Sequence, residues 1–553
     1  MDEHRTGSSP ERSRAVRSLK EPFDVVVVGA GINGCGVAWD AALRGLRVLL
    51  VERDDIGSGT SSWSSRLIHG GLKYLEKLDV KLVRESLRER EWLLGAAPHL
   101  VRPLRMILPF YSGGKHNPFV LEAGMLAYDV LSWDKSLSRH SVWSRRGTLK
   151  RVPGLNREGL YGAAAYYDAQ VELAERLCVE VALAARSAGA TVLNHASVES
   201  LEVVNGAVRG VEVEDRLTCE RHSVRTRVVF NTAGPWVDRV LRGLEGEPRL
   251  IGGTKGSHFI VDRFVGAPSK DALYYEARSD GRPMMVLPWR GQIMIGSTDE
   301  RFEGGLDDVG PSRNEIEYIL DETNAVLPHA NLTAEDLLWG YTGVRPLPYT
   351  PDGSEGDITR RHAFNDHAPR AAGLVSLLGG KLTTFRQVGE EATDLALKKL
   401  GLGKRRSATR RLLLPGAGPV DREVFARTLA ETTGLGTSTA DRLVGIYGSR
   451  ARGVAERLLD PAMREVLDEE SGLTAGEVAF VMEEEFAETL TDVLARRTVI
   501  GIGPTLPDET IERVARAAAD HADWSEERTE SEVAVYRNRL KRFGIPERSR
   551  ATA

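Results

Sequence analysis

Cysteine is scarce in this sequence, with only Cys35, Cys178 and Cys219 among 553 residues. The three are far apart, and no C-x-x-C pair occurs. This spacing excludes a cysteine-rich iron–sulfur cluster and a cysteine-based structural zinc site, and we expect no bound metal. So few cysteines also favour a reducing compartment over a disulfide-stabilised secreted protein.

Long apolar runs are missing as well. No run of about 18 apolar residues occurs, so the sequence predicts no transmembrane helix. The most apolar segment, 119–133, carries Glu122 and Asp129. Two interpretations stay open for it, an interfacial helix and a helix packed on the core through one face. Residues 1–20 are polar and lack the apolar region of a secretory signal, so we expect a disordered tail.

Charge of one sign is not in excess either. The chain has 74 basic and 79 acidic residues, a formal net charge of −5, which gives no global reason to expect a nucleic-acid partner. Its 41% hydrophobic and 28% charged residues are typical of a globular protein. The length predicts roughly two to four domains.

The strongest motif lies in residues 23–52, FDVVVVGAGINGCGVAWDAALRGLRVLLVE. A β-branched run precedes Gly29, Gly31 and Gly34 in the spacing G-x-G-x-x-G. A helical pattern and a second apolar run then end on Glu52. This βαβ unit is the fingerprint of a dinucleotide site, with the pyrophosphate at the helix N-terminus and the acid on a ribose. The motif alone does not separate FAD from NAD.

Two further segments repeat the order of strand, small residues and helix. One passes through Ala233 and Gly234, and the other through Gly379 and Gly380. Three such elements from distant parts of the chain favour FAD, because an NAD site is usually complete within its first half-domain. A Ser- and Gly-rich loop at 57–71 adds small polar groups suited to phosphate oxygens. No second G-x-G-x-x-G follows, so electrons must pass to quinone, O₂ or a carrier protein.

Patterning and composition also suggest a domain organisation. An antiparallel pattern between the glycine segments predicts a substrate domain. We predict a disordered tail at 1–20, an oxidoreductase region at 21–400, a linker at 401–420 and a helical C-terminal domain at 421–545. Within 21–400 we assign about 21–100, 155–240 and 340–400 to cofactor binding, and about 101–154 and 241–339 to a substrate or cap subdomain.

Several basic residues stand beside glycines or in short motifs rather than on charged helical faces: Lys73, Lys255, Arg345, Arg360 and Lys381. Cations converging on one pocket would bind an anionic substrate, since Arg matches phosphate or carboxylate. The alternative is that each is a solvated surface cation. His69 and His258 are candidate bases for a hydroxyl proton, although a lone histidine is more often structural.

At these residues the chain resembles the FAD-dependent, respiratory, aerobic-type sn-glycerol-3-phosphate dehydrogenases. The resemblance covers most of residues 22–400, and SSRLIHGGLKYLE and GGKLTTFR are its most specific motifs. The segments that carry it are VVVVGAGINGCGVAWDAALRGL at 25–46, TSSWSSRLIHGGLKYLE at 60–76, NTAGPWVD at 231–238, KGSHFIV at 255–261, YTGVRPL at 341–347, ITR at 358–360, LLGGKLTTFR at 377–386 and, in the C-terminal domain, EEEFAETLTDVLARRT at 483–498.

The resemblance implies an α/β fold with a Rossmann-like, glutathione-reductase-like FAD-binding domain, an antiparallel-sheet substrate domain and an α-helical C-terminal domain. It implies oxidation of glycerol 3-phosphate to dihydroxyacetone phosphate, with hydride transfer from C2 to FAD. By motif, the FAD-contacting positions are Gly29, Gly31, Gly34, Glu52, Thr60, Ser61, Ser62, Ala233, Gly234, Gly379, Leu382 and Thr383.

The resemblance also implies roles near the substrate. It places Lys73, Tyr74, Arg345, Arg360 and Lys381 near substrate, and Lys73 stands where some relatives carry Arg. Lys255 joins these candidate substrate residues through its position beside Gly256. We expect Arg345 to orient the C2 oxygen, and Arg360 and Lys381 to hold phosphate. His69 is the first candidate base and His258 the second.

Partners and location follow from the same resemblance. We expect quinone as acceptor, a cytoplasmic protein held peripherally on the inner face of the cell membrane, no nucleic acid and a homodimer. The missing cysteine-rich C-terminal segment disfavours the anaerobic branch that works with an iron–sulfur partner. Two alternatives are a glycerol-3-phosphate oxidase, or related FAD oxidase of a small hydroxy or amino acid, that makes H₂O₂, and a non-catalytic FAD-holding protein.

Overall fold

The computed structural model describes residues 9–71, 79–112, 118–244, 246, 248–352, 358–418 and 421–545, without the side chains of 118–121. Its strands form an eight-stranded sheet, a ten-stranded sheet and a two-stranded hairpin. They are β1 Phe23–Val28, β2 Val48–Val51, β3 Leu67–Ile68, β4 Val101–Tyr111, β5 Ser141–Ser144, β6 Leu160–Val171, β7 Thr191–Leu193, β8 Ala196–Val204, β9 Ala207–Asp215, β10 Arg221–Asn231, β11 Thr254–Val261, β12 Ala272–Glu276, β13 Pro283–Trp289, β14 Gln292–Gly296, β15 Glu300–Arg301, β16 Leu337–Arg345, β17 Ala363–Asp366, β18 Leu374–Leu378, β19 Val466–Asp468 and β20 Leu473–Thr474.

Helices cover the sheets and build the C-terminal part of the chain. They are α1 Pro10–Ser18, α2 Ile32–Leu43, α3 Val80–Ala96, α4 Pro118–Leu131, α5 Arg145–Arg151, α6 Ala174–Ser187, α7 Val237–Val240, α8 Arg313–Val326, α9 Phe385–Lys399, α10 Arg422–Thr433, α11 Thr437–Tyr447, α12 Ala451–Arg457, α13 Ala475–Glu484, α14 Leu490–Asp492, α15 Asp508–Ala522 and α16 Glu526–Leu540. Among the described residues, none of these helices has the length and apolar character needed to cross a membrane.

The eight-stranded sheet carries the dinucleotide motif. Its strand order is β7-β2-β1-β10-β18-β17, with the β8–β9 hairpin attached to β10. Strands β7, β2, β1, β10 and β18 run parallel. The valines of β1 are buried on both faces, because helices cover both sides of a parallel sheet. The expected βαβ unit is thus formed by β1, α2 and β2, which makes the predicted α/β fold class correct.

The ten-stranded sheet is the predicted substrate-domain sheet, but it is larger than we expected. Its order is β15-β11-β14-β13-β12-β4-β6-β3, with β16 paired to β11 and β5 to β6. Strands β6 and β16 belong to this sheet, although the sequence analysis assigned both to cofactor binding. The reason is long-range antiparallel pairing: β6 pairs with β4 along most of its length, and β16 pairs with β11.

The N-terminal segment differs from the expected disordered tail. Beyond residues 1–8, which lie outside the described ranges, the chain forms α1, whose N-cap Ser9 accepts a hydrogen bond from the backbone N–H of Arg12. Arg12 is 4% exposed, and its side chain forms an ion pair with Asp215 at 2.8 Å. Leu19 is also buried. Composition could not show this anchoring, because its partners come from the β7–β9 region.

The expected linker is packed rather than free. Arg405 donates a hydrogen bond to the carbonyl of Arg44 at 2.5 Å, and Ser407 bonds the carboxylate of Asp40. Leu414 is buried, and its N–H donates to the carbonyl of Ala96 at 2.9 Å. The basic, Gly- and Pro-containing composition of this segment suits a connection, but its polar groups are satisfied by α2 and α3.

The C-terminal helical domain is formed by α10–α16, with the β19–β20 hairpin between α12 and α13. Buried ion pairs join it to the first domain. Arg497, fully buried, donates two hydrogen bonds to Asp55, at 2.6 and 2.8 Å. Arg176 of α6 likewise pairs with Glu485. The two parts of the chain therefore share a contact made of buried charged residues.

Helix α4 answers the question left open for segment 119–133. Met125 and Tyr128 are buried, so one face of the helix packs on the core. The opposite face leaves Leu126, Val130 and the following Trp133 exposed at 54%, 69% and 78%. The burial of one face supports the interpretation of a helix packed on the core, and the interfacial interpretation stays a prediction.

Candidate active site

Three glycine-containing turns meet at the carboxyl ends of adjacent parallel strands. Strand β1 leads into Gly29, β10 leads into Ala233 and Gly234, and β18 leads into Gly379 and Gly380. In open α/β sheets, ligands bind outside these carboxyl ends. The three segments that are far apart in sequence are therefore brought together by strand pairing.

The fingerprint glycines shape the turn after β1 and let α2 pack closely against it. Gly29 adopts φ +98°, a left-handed conformation that disfavours side chains. A Cβ on Gly34 would lie 1.9 Å from the carbonyl oxygen of Gly29, so only glycine lets α2 pack this close. Gly31 is the N-cap of α2, and the next N–H, of Ile32, donates to the Ser61 hydroxyl at 3.0 Å.

Glu52, the predicted ribose ligand, also stabilises the turn. Its carboxylate accepts hydrogen bonds from the N–H groups of Ala30 and Asp54, at 2.7 and 3.0 Å. Burial raises the pKa of Glu52 to about 7, although these two bonds oppose the rise. The ribose contact stays a prediction.

The neighbouring residues fit FAD. Within the described part of the chain, the Asn33 side-chain oxygen at the start of α2 is buried without a hydrogen-bond partner. A Cβ on Gly380 would lie 2.6 Å from the Asn33 amide nitrogen, so Gly380 packs directly against Asn33 and its unused acceptor. An unpaired buried acceptor beside two glycine turns suits an extended cofactor that approaches the backbone closely. Asn33 was not singled out from the sequence.

The loop after β2 divides its hydroxyl groups between structure and site. Thr60 lines the cavity described below, and its hydroxyl donates to the carbonyl of Val344 at 2.7 Å. Ser62 is buried and donates to the carbonyl of Gly57 at 2.5 Å. Ser62 therefore shapes the loop rather than offering its hydroxyl to a cofactor, which the motif could not reveal.

A cavity of about 290 Å³ lies between the two large sheets, next to these turns. It joins cofactor and substrate candidates, because Thr60, Leu382 and Thr383 share its wall with basic and imidazole side chains. The predicted substrate and catalytic residues that line it are His69, His258, Arg345, Arg360 and Lys381.

Asp299 links the two arginines of this wall. Its carboxylate is 3.0 Å from Arg345 and 2.5 Å from Arg360. Burial tends to raise the pKa of Asp299, but the charges of both arginines outweigh it and hold that pKa below its ordinary value. Sequence reasoning missed Asp299, although an acid three residues after the end of a strand in GSTDE was a signal.

Arg345 is the most tightly fixed of these cations. Its guanidinium also donates to the carbonyls of Thr298 and Lys255, at 2.9 and 3.1 Å. Gly256 leaves the space for it, since a Cβ there would come within 2.3 Å of the guanidinium. Glycine at this point of β11 therefore lets the cation enter the wall.

Lys381 and His69 are half-buried beside the cavity. Burial lowers the pKa of Lys381 to about 7, while the charge of Glu85 opposes the shift. Burial lowers the pKa of His69 to about 4; the nearby charge of Asp168 opposes that shift, whereas the charges of Lys381, Arg360 and Arg90 add to it. Near neutral pH, His69 is therefore an uncharged imidazole that can accept a proton.

Asp168 is a second site residue that the sequence analysis missed. It lines the cavity and accepts hydrogen bonds from Arg90, at 2.5 Å, from the Tyr128 hydroxyl, at 2.9 Å, and from the N–H of Gly70, at 3.1 Å. This network holds the residue that follows His69 in the chain. No motif pointed to it, because its partners come from three different elements.

His258 is held by its neighbours. Its Nε2 lies 2.8 Å from the Ser65 hydroxyl, and its ring stacks on Tyr341 with centroids 5.0 Å apart. Burial lowers the pKa of His258 to about 3, and the charges of Arg345 and Arg66 lower it further. It is a neutral imidazole, like His69, but its surroundings oppose the imidazolium.

Not every predicted residue reaches the cavity. Lys255 forms an ion pair with Glu315 at 2.8 Å, on the other face of β11 from Gly256 and His258, and does not line this cavity. Successive residues of a strand point to opposite faces, which explains its position, and its role as a substrate residue stays a prediction. Lys73 and Tyr74 lie outside the described residues.

Comparison with known proteins supports the interpretation of the chain as an FAD-binding oxidoreductase. Residues 24–394 match the model of the FAD dependent oxidoreductase family, and residues 407–529 match the C-terminal domain of alpha-glycerophosphate oxidase. A glycerol-3-phosphate dehydrogenase of Synechocystis is 42% identical over 95% of this chain and 97% of its own. An aerobic glycerol-3-phosphate dehydrogenase of Staphylococcus saprophyticus is 33% identical over 89% of both chains.

A solved structure agrees. The glycerol-3-phosphate dehydrogenase of Bacillus halodurans, complexed with FAD, superposes with a TM-score of 0.79 at 28% identity, over 98% of this chain and 99% of its own. The two family models and the superposed structure together match most of the chain. The chain therefore belongs to the FAD-dependent oxidoreductases, within the family of the glycerol-3-phosphate dehydrogenases.

Proposed function

We propose that this protein oxidises sn-glycerol 3-phosphate to dihydroxyacetone phosphate. The observation that carries the proposal is the charge of the cavity wall, where four side chains are basic and two acidic: Arg282, Arg345, Arg360, Lys381, Asp168 and Asp299. With Lys381 protonated, the excess of two positive charges matches a phosphate dianion. An amino acid, with one carboxylate and one ammonium, matches it less well.

The cations divide the substrate between them. Arg360 and Lys381 hold the phosphate, and Arg345 orients the oxygen on C2. The fixed position of Arg345 suits this role, because a preorganised donor costs little reorganisation during the reaction. Asp299 keeps the two arginines aligned, through its contacts of 3.0 and 2.5 Å, before substrate enters.

His69 is the base that accepts the C2 hydroxyl proton. It is neutral near neutral pH, and the charge of Asp168 favours the imidazolium that forms. His258 is the second candidate, but Arg345 and Arg66 disfavour its imidazolium. Bound FAD supplies the acceptor for the two electrons that leave C2.

The test is anaerobic titration of the purified, FAD-loaded protein with glycerol 3-phosphate, followed at the flavin absorption band. We expect bleaching by glycerol 3-phosphate and none by glycerol, which lacks the phosphate. Bleaching by both compounds would show that the cationic wall does not select the substrate. A yellow protein that neither compound bleaches would refute the proposed substrate.

Quinone is the proposed electron acceptor. An oxidase that reduces O₂ is the second candidate, because residues 407–529 match a domain named for alpha-glycerophosphate oxidase. We expect turnover with a water-soluble quinone analogue to be much faster than turnover in air. H₂O₂ formed in equal amount to oxidised substrate, at the same rate as with quinone, would favour the oxidase.

We further propose peripheral contact with the inner face of the cell membrane through one surface, the α4 face. It consists of Ala123, Leu126, Ala127, Val130 and Trp133, which are all exposed. Their spacing places them on one side of the helix. An apolar stripe with a Trp at its end is typical of an interfacial helix.

Basic residues of α3 lie beside this face. Arg84 lies over the Trp133 ring at 5.9 Å, and Arg88 is exposed. Arg88 is close enough to lower the pKa of Asp134, although Arg84 has the larger effect. Anionic headgroups would complement these charges, so the proposed occupant is an anionic lipid bilayer.

Vesicle flotation tests this surface. We expect the protein to float with vesicles containing phosphatidylglycerol, and the variant Leu126→Ser, Val130→Ser, Trp133→Ser to stay in the soluble fraction. The matched control replaces three exposed apolar residues elsewhere, Val265, Leu459 and Val535, which are 88%, 68% and 58% exposed. Equal flotation of both variants would refute the α4 face.

A homodimer is also proposed, as the sequence analysis expected. Size-exclusion chromatography with light scattering measures the mass directly. A mass near 60.7 kDa, that of one chain, would contradict the dimer.

A further inference from the structure

Three side chains outside the cavity wall form a second polar cluster, the Glu85 cluster: Glu85 of α3, His362 just before β17 and Glu391 of α9. One candidate ligand atom from each lies within 4.8 Å of the others. His362 Nε2 is 2.9 Å from a Glu391 oxygen, and Gln387 donates to the other Glu391 oxygen at 2.9 Å. Three distant segments of the chain thus aim two carboxylates and an imidazole at one point.

Glu85 is the unusual member. It is 7% exposed, and in the described part of the chain its Oε1 is buried without a hydrogen-bond partner. A buried carboxylate oxygen without a donor is costly, because burial removes the water that would solvate it. His362 bonds Glu391, so its imidazole gives no hydrogen bond to the Glu85 Oε1 atom. Among the described residues no donor reaches it, so a bound cation or a proton would compensate its charge.

We propose that the Glu85 cluster binds a divalent transition-metal cation of the Zn²⁺ class. Imidazole nitrogen and carboxylate oxygen are both ligands of Zn²⁺, with bonds of about 2.0–2.2 Å and ligand atoms therefore about 3.4 Å apart. Side-chain rotations that move the ligand atoms by about an ångström bring the three atoms to that spacing. The sequence analysis expected no metal, because it searched for cysteine pairs.

The surroundings allow the cation to enter and be held. The Glu391 side chain is 44% exposed, which leaves one side of the cluster open to solvent, whereas the His362 side chain is 6% exposed. Gln387 already orients Glu391, as an outer partner does in metal sites. The cations whose charges reach the cluster are Arg361, Lys81 and Lys381, and they partly balance the two carboxylates.

A second acidic and imidazole group shows the contrast. Asp55, His195 and Asp492 also lie close together. There, Arg496 and Arg497 bond Asp55, and His195 and Arg496 bond Asp492. Arginines already satisfy those carboxylates, so that group carries no proposal. Glu85 has no such bond from arginine among the described residues.

The experiment uses the FAD-loaded protein, treated with chelator and titrated with Zn²⁺ by calorimetry. We expect one Zn²⁺ per chain, and a rise in Tm on binding. Glu85→Gln and His362→Gln should each weaken binding by more than about tenfold, the lower end for loss of even an outer partner. Glu391→Gln, at a half-exposed position, covers the case in which the buried variants fail to fold.

The matched control is His222→Gln. His222 lies 3.8 Å from Glu220 and, within the ranges that the structure describes, has no third candidate ligand beside it, so its loss should leave Zn²⁺ affinity unchanged. Zn²⁺ binding that survives all three cluster variants would overturn the proposal. So would the absence of any bound Zn²⁺ in the unmodified protein, since Glu85 is then compensated by a proton.

Discussion

At the scale of single residues, Arg345 is the side chain on which the cavity most depends. Its guanidinium contacts Asp299 at 3.0 Å and two backbone carbonyls, so it is held in place before any substrate arrives. A fixed charge in a buried wall stabilises developing charge better than a mobile one. Removing it leaves Asp299 with one arginine instead of two.

We expect Arg345→Ala to lower kcat/KM for glycerol 3-phosphate at least about 100-fold, as for other preorganised electrostatic contacts. FAD content should stay unchanged, because Arg345 lies outside the glycine turns. Steady-state kinetics with a quinone analogue measures the effect. Arg221→Ala is the control, since the Arg221 side chain is 69% exposed on β10. Near-normal turnover in Arg345→Ala would mean that the substrate binds elsewhere.

Lys381 makes the activity depend on pH. Its pKa is lowered by burial to about 7, so its charge is lost as pH rises through that value. The kcat/KM profile reports groups of the free enzyme, and should therefore fall above pH of about 7 by up to tenfold per pH unit. Lys381→Arg keeps its charge, and we expect its profile to stay flat over this range. Parallel profiles of the two proteins would rule out Lys381 as the titrating group.

At the scale of elements, the end of α16 supports the cavity wall from behind. Phe543 follows α16, is 1% exposed, and places its ring 5.7 Å from Trp63 and 5.2 Å from Trp339. Trp63 lines the cavity and lies 5.9 Å from Tyr341, the ring that stacks on His258. A segment of the C-terminal domain thus packs against the aromatic wall of the site.

Phe543→Ala should therefore affect both stability and catalysis. Deleting a buried phenyl ring costs about 3–5 kcal/mol of unfolding free energy. We also expect kcat to fall, because Trp63, and through it Tyr341, loses the packing contact with the Phe543 ring. Urea titration and a separate determination of kcat and KM measure the two effects, and Phe543→Leu should recover most of both. Val535→Ala, at a 58% exposed position of α16, is the control. Reduced stability with unchanged kcat would limit Phe543 to a structural role.

At the scale of the whole molecule, buried charge pairs join the two domains. Asp55, in the loop after β2, is bonded by both Arg496 and Arg497 of the C-terminal domain. All three are buried, so each charge relies on the others for compensation. Breaking such a pair leaves an uncompensated buried charge, which is far costlier than losing a surface pair.

Asp55→Asn should lower the unfolding free energy by about 3–5 kcal/mol. Its neighbour Asp54 provides the control, because that side chain is 43% exposed and its pairs with Arg53 and Arg216 are at the surface. Asp54→Asn should cost at most about 1 kcal/mol. Urea unfolding followed by flavin fluorescence and by circular dichroism measures both. Equal losses in the two variants would contradict a special role for the domain contact.

The sequence by itself determined the features that depend on neighbouring residues. Gly29, Gly31 and Gly34 predicted a tight turn and a closely packed helix, because sterics at those positions act within a few residues. Local patterns likewise predicted the β1–α2–β2 unit and the helical C-terminal domain. Motif resemblance predicted Arg345, Arg360 and Lys381 as residues of the site.

The tertiary structure alone decided the features that depend on strand register and on distant partners. Lys255 and Gly256 are neighbours in sequence, but β11 turns one toward Glu315 and the other toward the cavity. Asp299 and Asp168 became site residues only through partners from other elements, and the polar N-terminal segment became ordered through Asp215. Charge pairing and burial are long-range properties, and no local pattern records which residues they bring together.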